Sequence, residues 1–159
     1  MVDILTSIEA AMAQAISNMN TGDGYLLNWG TVNEPDVAKQ EFPSAEIMLQ
    51  TEECIDDTDT AWSGGYNQEA SYLIRVRAAL DNEEAIPLYK INEILNQALS
   101  DLKRLFGIHY SVSGNCEVIM YRGAERITDG RNDIMRPKYM DTRWLVKYTQ
   151  KRTDPTINF

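Results

Sequence analysis

Histidine occurs once in this chain, at His109, and cysteine twice, at Cys54 and Cys116. With one imidazole, two widely separated thiols and no HExxH or CxxC spacing, a transition-metal centre has almost nothing to be built from. The two cysteines read as semi-buried thiols of a reducing compartment rather than a disulfide. The acidic run Glu52, Glu53, Asp56, Asp57 and Asp59 lacks the central glycine and terminal glutamate of a calcium loop, and reads as solvated. Gly107, Gly114, Gly123 and Gly130 form no phosphate cradle, and Ser63-Gly64-Gly65 is not a nucleophile elbow. His109 reads as a structural or exposed residue. No nucleophile, base or cofactor constellation is present, so neither enzymatic activity nor a cofactor is expected. Long apolar runs are missing too. Nothing approaches the ~20 residues of a membrane span, and the N-terminus lacks the apolar core of a signal peptide. A soluble, cytoplasmic protein is the expectation.

Basic charge is also scarce. The net charge is −9, which argues against free nucleic acid as a partner. The deficit is uneven: nine Lys/Arg and five Asp/Glu lie from Tyr121 onward, against six and nineteen before it. Such asymmetry suits one surface of a molecule meeting a different surface of its copy. Arg136, Lys138, Arg143, Lys147, Lys151 and Arg152 interleave with Tyr139, Trp144 and Tyr148. Period-2 alternation puts Trp144 and Tyr148 on one strand face and Arg143 and Lys147 on the other. That is a core face backed by a basic outer face rather than a nucleic-acid stripe.

What the chain does contain is a strong helical stripe. From Pro87 to Gly107, Leu88, Ile91, Leu95, Ala98, Leu102 and Leu105 recur at helical spacing, widened by Ile94, Leu99 and Phe106. Pro87 suits the first turn, Gly107 the stop, and Lys103 and Arg104 the last turn. A second helix is predicted over Asp3 to Met19, with Ile4, Ile8, Met12, Ala15, Ile16 and Met19 on its core face. Strands are predicted at Tyr25–Val32, Ala45–Glu52, Glu69–Leu80, Cys116–Tyr121 and Tyr139–Thr149. Arg122 to Lys138 reads as loop. These elements give an α+β fold: a single mixed, mostly antiparallel sheet of about five strands, two helices on one face, order α-β-β-β-α-β-β. Residues 1–159 form one domain, with a protruding loop or hairpin arm at about 53–68 and a flexible tail from about 151.

That order resembles the tail terminator family of tailed bacteriophages. The resemblance rests on the opening helix Ile4–Met19, on the strand Tyr72–Leu80 running through Asn82 into the Pro87–Gly107 helix, and on the closing strand Arg143–Thr149 followed by Asp154-Pro155. It implies a homohexameric ring that caps the tail tube. The ring would meet the tube protein and a head-completion or neck protein, and would let double-stranded DNA pass its lumen without specific binding. The chain would be assembled in the host cytoplasm and reside in the virion. A head–tail joining or tail-tube-like protein is the alternative, and a small-ligand-binding α+β domain a more distant one. In such a ring the acidic loop (Asp56, Asp57, Asp59) of one subunit would meet a basic patch of the next. Arg75, Arg77, Arg143 and Lys147 would form that patch, with Trp62 and Tyr66 as aromatic anchors.

Overall fold

The computed structural model describes residues 3–55, 65–79, 86–128, 137–151 and 154–158. Helix α1 spans Ile4–Ser17 and opens on Asp3, whose carboxylate accepts from the Thr6 N–H at 2.9 Å. Ile4, Ile8, Met12 and Ile16, four residues apart, are buried along one side. Helix α2 spans Leu88–Ile108, with Pro87 at its N-cap, and buries Ile91, Leu95, Ala98, Leu102, Leu105 and Phe106. Gly107 does not stop it, as had been expected. The His109 N–H still returns to the Leu105 carbonyl at 2.7 Å. The left-handed residues come later, at Val112, Ser113 and Gly114 (φ 39°, 62° and 81°).

Strands β1 (Ser44–Cys54), β2 (Gly65–Arg77), β3 (Val118–Thr128) and β4 (Pro137–Lys151) form one sheet in the order β1-β2-β4-β3. Among the described residues every ladder is antiparallel, so the sheet is not mixed there, and the one parallel element is an isolated bridge between Val32 and Ala45. Both helices contribute to a single core on one face of this sheet. There Tyr72, Ile74, Val76, Trp144, Val146 and Tyr148 are each 2% exposed or less. Phe106 of α2 meets Trp144 edge to face, ring centres 5.0 Å apart.

Four further expectations need correction. The strand expected at Tyr25–Val32 does not form, because its donors go to scattered acceptors instead of one neighbouring strand. The Leu26 and Leu27 amides and the Trp29 indole N–H donate to the Asp101 carboxylate of α2, at 2.8, 3.0 and 3.2 Å. Gly30 lies so close to the Glu41 backbone that a Cβ there would sit 2.1 Å from its carbonyl oxygen. The loop expected from Arg122 is strand as far as Thr128. A bulge between Tyr121 and Gly123 shifts the register there and hides the two-residue period. The tail expected to be flexible contains a short strand, β5 (Asp154–Asn158), paired with the end of β4. The arm is also narrower than 53–68, since Glu53–Cys54 and Gly65–Gln68 belong to β1 and β2.

Candidate assembly surface

Neither α1 nor α2 packs on the second face of the sheet. Cross-strand register places Glu46, Met48 and Thr51 of β1 there, with Arg75, Leu73, Ser71 and Glu69 of β2. It adds Asp141, Arg143, Leu145 and Lys147 of β4, and Val118, Met120, Glu125 and Ile127 of β3. Met48 lies opposite Leu73, and Met120 opposite Leu145; Leu73 and Leu145 are diagonal neighbours across β2 and β4. These four half-buried side chains make an apolar stripe across all four strands. An antiparallel sheet can leave one face to water, and such a face then alternates to polar residues. Here the stripe interrupts that pattern.

Around the stripe the charges are matched within the chain. Arg75 grips Asp141 through two bonds, 2.8 Å and 3.0 Å, which holds its guanidinium even further above its ordinary pKa. Lys147 lies 3.3 Å from Glu69, and Arg143 lies 3.1 Å from Glu125. Tyr139 receives two cations, the Arg75 guanidinium 3.8 Å and the Arg77 guanidinium 5.0 Å from its ring centre.

This geometry revises the expected basic patch. Arg77 is only 8% exposed, so it does not point freely outward. Arg75 is committed to Asp141, and Arg143 and Lys147 each face a carboxylate of their own sheet. Glu52, expected outward with Glu46 and Gln50, is exposed but lies on the helix side of the sheet. The β1 bulge between Leu49 and Thr51 inserts Gln50 and flips the phase, so Glu52 shares the helix-side face with Ala70. There its carboxylate accepts from the Tyr148 hydroxyl at 2.5 Å, beside the Tyr72 hydroxyl that donates to Glu9 at 3.1 Å. Burial, and then these carboxylates, push both phenols well above their ordinary pKa. Asp56, Asp57, Asp59 and Trp62 lie outside the described residues. Tyr66 is a β2 position opposite Gln150, and its side chain is likewise outside the description.

The thiols differ from each other. Cys54 is exposed at the end of β1, whereas Cys116 is buried, and burial pushes its pKa up to about 12. His109 is exposed just past the end of α2. It borders a cleft of about 690 Å³ between α1, the end of α2 and the Val112–Ser113 turn. Asp101 was missed by sequence reasoning, although it carried a signal. It is a carboxylate set within the apolar stripe of α2, between Ala98 and Leu102, and it is 1% exposed. Among the described residues no group of three or more His, Cys, Asp or Glu side chains is placed to hold a metal ion. Nor is any described helix long and apolar enough to cross a membrane. Compared with known proteins, the chain matches no family model and no curated sequence.

Proposed function

We propose that this chain is a structural, non-enzymatic subunit that assembles with copies of itself into a closed ring, in the manner of the phage tail terminators it resembles. The observation that carries the reading is the apolar stripe Met48–Leu73–Leu145–Met120 on the uncovered sheet face, framed by ion pairs already satisfied within the chain. A face of that kind suits a protein neighbour. Its apolar side chains gain by burial at roughly 25 cal/mol per Å². Its charges, being paired, neither repel a copy nor attract a polyanion. In this reading the ring of six closes the tail tube, contacts the tube protein on one side and a neck protein on the other, and surrounds DNA without binding it. The net charge of −9 fits a lumen that does not hold DNA. The protein would work in the virion after assembly in the host.

Size-exclusion chromatography with light scattering tests the ring. The expected result is a closed oligomer of six chain masses, converted to folded monomer by Leu145→Glu. A wild-type protein that stays monomeric at every concentration defeats the proposal.

A further inference from the structure

We propose that the cleft between α1 and the end of α2 is a binding site for a small monocarboxylate with a short apolar body, whether or not the chain forms a ring. Three observations converge on it.

The first is a cation held in place. Arg104 is the one Lys or Arg in the lining. Its Nη1 donates to the Gly24 carbonyl at 2.8 Å, and its guanidinium carbon lies 5.6 Å from the centre of the Tyr25 ring. Gly24 permits that approach: its φ is 88°, and a Cβ there would sit 3.2 Å from Nη2. The Gly24 carbonyl uses only one of the five N–H donors that a guanidinium carries, in a planar fork that matches a carboxylate. Gln14 and Asn18 add amide donors from α1, and His109 carries a ring N–H in either protonation state. The lining also holds one acid, Asp23, which accepts from the Asn20 amide at 2.8 Å. With one guanidinium and one carboxylate nearby, a ligand of a single negative charge is better matched than a phosphate dianion.

The second is apolar surface beside that cation. Met19, Leu105 and Val112 are at most 3% exposed, whereas Ile108, which also lines the cleft, is 56% exposed. An apolar body next to the carboxylate would cover Ile108 and gain by its burial. The volume of about 690 Å³ lies within the roughly 300–1,000 Å³ of small-molecule sites.

The third is strain in the wall. Val112 and Ser113 are both left-handed, with φ 39° and 62°. A β-branched residue rarely adopts that conformation. The turn is fixed by the Val112 N–H, which donates to the His109 carbonyl at 3.0 Å, and by the Asn115 amide, which donates to the Val112 carbonyl at 2.7 Å. Strain of this kind persists where its surroundings over-determine it, and it collects at ligand sites. Here it sets Val112 and Ser113 into the cleft wall beside His109.

Hexanoate is the probe. Methyl spectra of protein labelled at Ile and Met read the cleft through Met19 and Ile108, in a monomer or a ring alike. Hexanoate should shift both saturably and leave Met48 and Met120 of the sheet face in place. Hexanol keeps the apolar body without the charge, and should bind at least about tenfold more weakly. Arg104→Gln should weaken hexanoate by a similar factor. Ala15→Phe, which fills the cleft, should abolish the shifts while the core methyls keep their folded positions. The proposal is overturned if hexanoate gives no saturable shift at Met19 and Ile108, or if hexanol binds as tightly. Wild-type affinity in folded Arg104→Gln overturns it as well.

Discussion

The two faces of the sheet are built from the same strands by the same alternation, yet they solve opposite problems. On the helix side, Tyr72, Ile74, Trp144 and Val146 are sealed under α1 and α2. On the other side, the intervening residues Leu73, Arg75, Arg143 and Leu145 lie outside that core, and each charge takes a partner from an adjacent strand. The first face is sealed within the monomer, and the second meets water with its charges paired. A basic patch waiting for an acidic loop would have carried an unbalanced field. The observed face pairs its charges within the sheet instead. It also changes what charge reversal can report. Arg75→Glu would set a second carboxylate against Asp141 and strain the fold, so the loss of a ring in that variant would not isolate an interface.

The largest test of this contrast is a pair of truncations on neighbouring residues of β4. Trp144→Ala should cost about 3–5 kcal/mol, because it opens a cavity under Phe106. Leu145→Ala, half-buried on the open face, should cost the monomer about 1 kcal/mol or less in the same urea titration. Equal losses at the two positions would mean that the open face is covered within the monomer. Next comes Asp101→Ala, at about 3 kcal/mol, since two amides and an indole N–H lose a charged acceptor in a buried place. Asp101→Asn should recover part of that loss, and hydrogen exchange at Leu26 and Leu27 should rise in both variants.

Smaller effects belong to the open face. Asp141→Asn should cost roughly 1–2 kcal/mol, because the bidentate pair with Arg75 is largely shielded. Glu125→Gln should cost about 0–1 kcal/mol, because both partners of its pair are 60% exposed. A reversed order would show that the Arg143–Glu125 pair is buried in solution, as a persistent oligomer would make it. The last effect is nil at neutral pH. Tyr72 and Tyr148 have folded pKa values above the ordinary 10.0, so the folded state favours their neutral forms. Their contribution is complete below about pH 10 and is lost as pH rises from there, while the unfolded chain releases its phenolic protons first. Thermal melts should therefore decline above about pH 10, less steeply in the double variant Tyr72→Phe, Tyr148→Phe.

The sequence by itself determined which side chains face the core. The stripe of α2, the face of α1 and the inward sets of β2 and β4 follow from spacing, because burial on one side imposes a period of 3.6 or 2 on the chain. It also fixed the acidic balance and the isolation of the hairpin's carboxylates from local cations. Tertiary structure alone decided the rest. Whether Tyr25–Val32 became a strand depended on Asp101, more than 70 positions away, capturing the amides that a ladder would have used. The helix-side placement of Glu52 and the onward run of β3 depended on single-residue bulges, which reverse the phase and leave no composition signal. Whether Arg75, Arg143 and Lys147 were available depended on register, which sets each cation beside a carboxylate of another strand. Periodicity is local and survives in the sequence. Pairing is a relation between distant segments, and it exists only once the chain has folded.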